Sequence, residues 1–169
     1  VVRDTSLPNG PFGAKSTAEE VTAGIDLSGK VALVTGGTSG LGLETLRVLA
    51  LRDARVIATG RTLEKAREAC AGVDGGTVPV ALELADLSSI AACAESVRAL
   101  GVPLDILVCN AGSFFDLSVL EMTRERWEKT MALNVTATFF AAQAFARRLV
   151  AEKRRGCLVI TSSTNGFQA

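Results

Sequence analysis

Between Thr35 and Gly42 the chain reads Thr-Gly-Gly-Thr-Ser-Gly-Leu-Gly. Residues without a Cβ let a backbone turn sharply and bring main-chain N–H groups up to a phosphate at the start of a helix. A flexible loop has a similar composition, so position has to decide. The run follows a short β-rich apolar stretch and precedes a helical one, which is the arrangement that binds a dinucleotide pyrophosphate. A second group able to do chemistry is Arg61, next to Gly60 at the end of the second apolar stretch. An acid at that place hydrogen-bonds a ribose 2′-hydroxyl, whereas an arginine accommodates a 2′-phosphate. The alternative for Arg61 is a solvated cation ahead of a helix capped by Thr62. Other chemistry is excluded by composition. With no histidine and no tyrosine, there is no Ser-His-Asp or Cys-His nucleophile and no imidazole-bound zinc. Cys70, Cys93, Cys109 and Cys157 are widely spaced, each in an apolar stretch. They read as small buried hydrophobes in a reducing compartment rather than as disulfides or metal ligands.

The elements that must position these groups alternate in period. Apolar strand-like runs at Val31–Val34, Arg55–Thr59, Val78–Leu84, Asp105–Cys109 and Cys157–Thr161 are separated by helical spacing over Leu41–Arg52, Leu63–Ala71, Leu87–Leu100 and about Arg124–Lys153. Strands apolar on both faces and separated by helices predict a parallel sheet covered on both sides. With right-handed crossovers this is a Rossmann-like, doubly wound α/β fold. Residues 1–29 stand apart as an N-terminal extension. Pro8, Asn9, Gly10, Pro11 and Gly13 mark an irregular lead-in, and two overlapping capping boxes, Ser16 with Glu19 and Thr17 with Glu20, predict a short helix. Residues 30–169 form the dinucleotide-binding domain.

The 169 residues are 48% hydrophobic and 21% charged, with 18 basic residues against 18 acidic ones. That is a globular composition of one domain, and no net field argues for nucleic acid or an anionic membrane as partner. The most apolar long segment, Met131 to Val150, is interrupted by Asn134, Gln143, Arg147 and Arg148, which makes it a poor membrane span. No signal-peptide pattern opens the chain, so the expected location is the cytoplasm.

Four motifs, in order and on the right elements, carry a resemblance. Thr-Gly-x-x-x-Gly-x-Gly follows the first strand, Asn110-Ala111-Gly112 the fourth, Asn134 lies in the long helix, and Ser163-Thr164-Asn165-Gly166 follows the fifth strand. Over residues 30–169 the chain resembles the short-chain dehydrogenase/reductase family. Its lead-in looks most like retinol-dehydrogenase-type members, and the region after Gly112 more like acyl-carrier-protein reductase-type members. The resemblance implies a nicotinamide cofactor held by Gly36, Thr38, Ser39, Gly40, Leu41 and Gly42, and by Asn110, Ala111 and Gly112 beside the adenosine ribose. Glu83 and Leu84 align with the adenine-contacting stretch, where the family's usual aspartate is here a glutamate. Asp86, just after it, is better explained as a helix cap. The resemblance also implies that Asn134 holds the helix open and organises a proton-relay water, and that Ser163 orients the substrate. Plainer readings stand beside these: a tight turn closing the fourth strand for Asn110 and Gly112, an exposed helix asparagine for Asn134, and a serine-rich loop for Ser163.

The expected function is an oxidoreductase interconverting a carbonyl and an alcohol by hydride transfer, with Arg61 favouring NADP over NAD. The partner is a small-molecule alcohol or carbonyl compound, and no metal is expected. In the family a tyrosine donates the proton and a lysine tunes it. That Tyr-x-x-x-Lys would lie past Ala169, so the chain is expected to be an incomplete domain, inactive by itself. The alternative is a non-catalytic nucleotide-binding or scaffolding member of the same fold. The helix from Met131 to Ala146 is apolar over most of its circumference, which predicts packing on the sheet on one side and on a further surface on the other. The family resemblance implies pairing across a dimer axis, in a homodimer or homotetramer.

Overall fold

Five short strands line up in parallel because each is largely apolar and each of the first four is followed by helix long enough to cross back. The computed structural model describes residues 12–13 and 15–163. In it β1 (Val31–Val34), β2 (Arg55–Gly60), β3 (Thr77–Ala81), β4 (Ile106–Cys109) and β5 (Cys157–Ile160) alternate with α2 (Gly40–Leu51), α3 (Leu63–Ala71), α4 (Leu87–Ala99), α5 (Arg124–Met131) and α6 (Thr138–Ala151). The strand order is β3-β2-β1-β4-β5 and every pairing is parallel. This is the predicted doubly wound sheet.

Alternation along the strands splits the core in two. Ala32, Val34, Val56, Ala58 and Val108 point to the side covered by α2 and α3, where Leu46, Ala50 and Ala69 meet them. Val31, Leu33, Ile57, Val80 and Leu107 point to the other side, against Cys93 of α4 and Phe145 of α6. Pro79 is tolerated in β3 because β3 is an edge strand, paired only with β2.

Four details depart from the sequence reading. β3 ends at Ala81 rather than Leu84. Beyond the Leu82 N–H bond to the Gly60 carbonyl (2.7 Å) the backbone leaves the ladder, and the Glu83 and Ala85 N–H groups bond side-chain oxygens of Ser89 and Glu83 instead. The long helix is not uniformly α: residues Ala132–Ala137 form a π-helical segment between α5 and α6. Only one of the two capping boxes forms. Thr17 caps α1 (Ala18–Val21) reciprocally with Glu20, while the Ser16 hydroxyl accepts from the Gly13 N–H. Cys157 is exposed rather than buried, as are all four residues of the edge strand β5.

The other caps follow the sequence. Thr62, Asp86 and Thr123 each accept a first-turn N–H of the following helix, so Asp86 has its structural explanation. The irregular lead-in through Pro11, and the Thr164-Asn165-Gly166 stretch, lie outside the described residues. Among the described residues no helix is long and apolar enough to cross a membrane.

Candidate functional site

The carboxyl ends of β1 and β4 are tied together by two side chains. The Thr35 hydroxyl donates to the Val108 carbonyl (3.3 Å) and accepts the N–H groups of Asn110 (2.9 Å) and Ala111 (3.0 Å). The Asn110 amide Nδ2 donates to the carbonyls of Thr35 (3.2 Å) and Gly36 (3.3 Å), and its Oδ1 accepts from Thr161 (3.3 Å), just past β5. The chain therefore crosses from β1 into α2 against a fixed wall, and that wall dictates two glycines. Gly36 has φ +65° with its missing Cβ aimed at Ala111, 3.0 Å from Cα. A Cβ on Gly42 would sit 2.5 Å from Asn110 Nδ2 and closer still to the Gly36 carbonyl oxygen. Ser39 precedes α2 as N-cap, yet its side chain makes no cap hydrogen bond, so the first-turn N–H groups of a twelve-residue helix have no side-chain acceptor there.

These loops enclose a cleft of about 570 Å³ at the carboxyl ends of the strands. Gly36, Thr38, Ser39, Leu41, Gly42, Arg61, Glu83, Leu84, Asn110, Ala111 and Gly112 all line it. Gly40 does not; its φ of +53° turns the loop into the helix, and the space beside it is open. The cleft also has lining residues the sequence reading missed: Thr59, Gly60, Leu82, Ala85, Ser113, Phe114, Phe115, Lys129 and Leu133. A Cβ on Gly60 would lie 2.6 Å from Thr38 Cγ2 and 3.1 Å from the Ala66 nitrogen, so a side chain there would have to push Thr38 aside. Two adjacent phenylalanines one residue beyond Asn-Ala-Gly were the one legible signal for the far wall.

Asn134 stands behind that wall. Its Oδ1 accepts the Ser113 N–H (2.9 Å) and its Nδ2 donates to the Ser113 carbonyl (2.7 Å). Asn134 is exposed, as the plainer reading has it, yet its amide is engaged on both sides. It sits within the π-helical segment, whose wider winding is common at functional sites. Ser163 is exposed and lies three residues past β5, outside the cleft lining given above.

The charged side chains on the cleft are Arg61 and Lys129 against Glu83. Cys109, directly before Asn110, is buried, and burial pushes its thiol up from the ordinary value. It is therefore no thiolate nucleophile at neutral pH. Among the described residues no cluster of histidine, cysteine or carboxylate side chains could hold a metal ion.

The family model described as short chain dehydrogenase matches residues 30–169. The chain belongs to the short-chain dehydrogenase family. Within that family it is 33% identical over 161 residues to a WW domain-containing oxidoreductase of Pongo abelii, covering 92% of this chain and 38% of the relative. It is 34% identical over 140 residues to a sorbitol dehydrogenase of Cereibacter sphaeroides, covering 83% of this chain and 55% of the relative. A short-chain dehydrogenase/reductase from Mycobacterium marinum superposes with a TM-score of 0.74 at 33% identity, over 84% of this chain and 57% of that one. A putative betaketoacyl-ACP reductase superposes with a TM-score of 0.75 at 34% identity, over the same shares of the two chains. The chain thus spans 38% to 57% of the length of these relatives. Family membership brings NAD(P) as the general cofactor class.

Proposed function

We propose that this chain is the dinucleotide-binding portion of an oxidoreductase that interconverts a carbonyl and an alcohol, with NADP(H) preferred over NAD(H). The observation that carries the reading is the cradle at Gly36 and Gly42. Any Cβ at Gly42 would strike the loop's own backbone, and beside it the first-turn N–H groups of α2 have no side-chain acceptor. A pyrophosphate suits that combination of close approach, donors and helix N-terminus. The cofactor, when bound, supplies or accepts a hydride.

The chain's own residues then divide the work. Gly36, Thr38, Ser39, Leu41 and Gly42 hold the phosphates, with Gly40 as the turn that brings them there. Asn110, Ala111 and Gly112 support the ribose, and Glu83 and Leu84 the adenine. Arg61 reaches the 2′-phosphate by charge-assisted hydrogen bonds, a planar fork matching a tetrahedral anion. Asn134 positions the wall at Ser113, and Ser163 orients the carbonyl oxygen. An acid placed within hydrogen-bond reach and tuned toward neutral pH is still needed to protonate a developing alkoxide. With no tyrosine or histidine in its sequence, the 169-residue chain alone is inactive. Residues 1–29 are an extension ahead of this domain. The reduced thiols fit a cytoplasmic setting.

The experiment is calorimetric titration with NADPH and NADH, followed by NADPH oxidation with a panel of ketones and aldehydes. An Arg61 pair with the 2′-phosphate is expected to be worth ~1.5–3 kcal/mol, a preference of roughly ten- to a hundredfold. It should vanish in Arg61→Ala. Equal affinities in the unaltered protein refute the NADP assignment, and turnover by the 169-residue chain refutes the need for a further acid.

Assembly belongs to the same reading. Trp127, Met131, Val135, Phe139 and Phe140 along α5, the π-helical segment and α6 are exposed, an apolar stripe that supports pairing with a second copy. Light scattering is expected to give a homodimer or homotetramer for the complete protein, and a monomer would count against it.

A further inference from the structure

The sheet order puts the end of β2, with Arg61, and the end of β4, with Phe114 and Phe115, on opposite sides of the glycine loop that follows β1. A dinucleotide whose phosphates rest on that loop and whose 2′-phosphate reaches Arg61 must extend its reactive end toward β4 and β5. Two phenylalanines line the cleft there, and Phe114 is 80% exposed. A ring that size left in water on a concave wall is a surface waiting for an apolar contact.

The wall is also built to stay in place. Asn134 grips both main-chain groups of Ser113 (2.9 and 2.7 Å), fixing the residue before Phe114. The Arg126 guanidinium lies over the Phe115 ring, 5.6 Å from its centroid, fixing the residue after. Phe114 is thus held between two anchors on the same helical stretch, while its own ring meets solvent. We infer that Phe114 is a specificity-determining residue of this site, selecting ketones and aldehydes that carry an aryl or bulky apolar group over small or polyhydroxylated ones. The inference rests on the dinucleotide reading above. It names the substrate class for that site, with the aryl face stacking on Phe114.

The test uses the complete protein, saturated with NADP⁺ for ketone binding and supplied with NADPH for turnover, with 2-acetonaphthone as probe and acetone as the small comparison ketone. Equilibrium binding of the naphthone and kcat/KM for both ketones are measured for the unaltered protein, Phe114→Ala and Phe114→Leu. Because Phe114 is exposed, its truncation leaves the fold intact, which circular dichroism checks. Loss of one aromatic contact is expected to weaken naphthone binding at least roughly tenfold. Phe114→Leu should keep part of it, and kcat/KM should fall more for the naphthone than for acetone. Equal naphthone binding in Phe114→Ala overturns the inference, as does a parallel fall in NADPH affinity, which would assign the ring to the dinucleotide. A protein that binds NADPH but not the naphthone refutes the wall alone. One that binds no NADPH refutes the parent reading and the wall with it.

Discussion

Gly42→Ala sets two opposing effects against each other in one residue. Gly42 is the third residue of α2, and alanine is the better helix former by ~1 kcal/mol. On propensity alone the substitution should stabilise. The added Cβ, however, would lie 2.5 Å from Asn110 Nδ2 and nearer still to the Gly36 carbonyl oxygen. Neither neighbour is the loose end of a flexible chain, since one is backbone and the other bonds Thr35 and Gly36. Relieving the overlap costs ~1–3 kcal/mol in packing, and displacing the Asn110 amide forfeits two hydrogen bonds at ~0.5–1.5 kcal/mol each. Packing wins, with a net loss of about 2–3 kcal/mol, or a fall in Tm of roughly 5–10 °C for a domain of this size. Because the displaced groups form the cradle itself, NADPH affinity should fall as well. Gly40→Ala is the control: its φ of +53° adds ~1–2 kcal/mol of backbone strain, but nothing lies within 4 Å of the new methyl group. The assays are thermal unfolding and calorimetric NADPH titration of both variants. An unchanged Tm and an unchanged NADPH dissociation constant in Gly42→Ala would refute the packing argument.

Asn134→Ala leaves the Ser113 N–H and carbonyl without their partners. Hydrogen exchange at Ser113 to Phe115 should rise, while thermal stability moves only modestly because the site is exposed; protected amides there would contradict the anchoring role. Acid unfolding should reveal Glu152. Arg154 bonds its carboxylate at 2.9 Å and, with Arg148, holds it below its ordinary value of 4.5. A depressed carboxyl contributes stability that is fully present above the unfolded value and is lost as the pH falls through the folded one. Urea midpoints from about pH 7 to about pH 3 should therefore separate the unaltered protein from Glu152→Gln at neutral pH and converge in acid; a constant gap would refute the pairing.

Much was legible in the chain itself. Strand cores such as Val31–Val34 and helices such as Leu63–Ala71 appear where period and capping placed them. Their formation depends on local alternation and on side chains that reach only one turn away, such as Thr62 bonding the Lys65 N–H. The glycine loop was legible for the same reason: a close approach to the backbone requires absent side chains at set spacings, Gly36, Gly40 and Gly42, and absence is written in the sequence.

What only the tertiary structure decided depends on partners far apart in sequence. That Gly36 must avoid Ala111, that Gly42 must avoid the Asn110 amide, and that Gly60 must avoid the Thr38 methyl are collisions between elements brought together by the sheet. No local pattern encodes them. The early end of β3 was settled by Ser89 capturing the Glu83 N–H from the next helix, against a run of apolar residues that reads as continuing strand. Exposure followed the same rule. Cys157 and its neighbours are as apolar as β4, but Leu107 and Cys109 of β4 share a core cluster with Phe145 of α6, while all four residues of β5 are exposed. Composition specifies which residues seek burial; the elements packed over each face determine which of them obtain it.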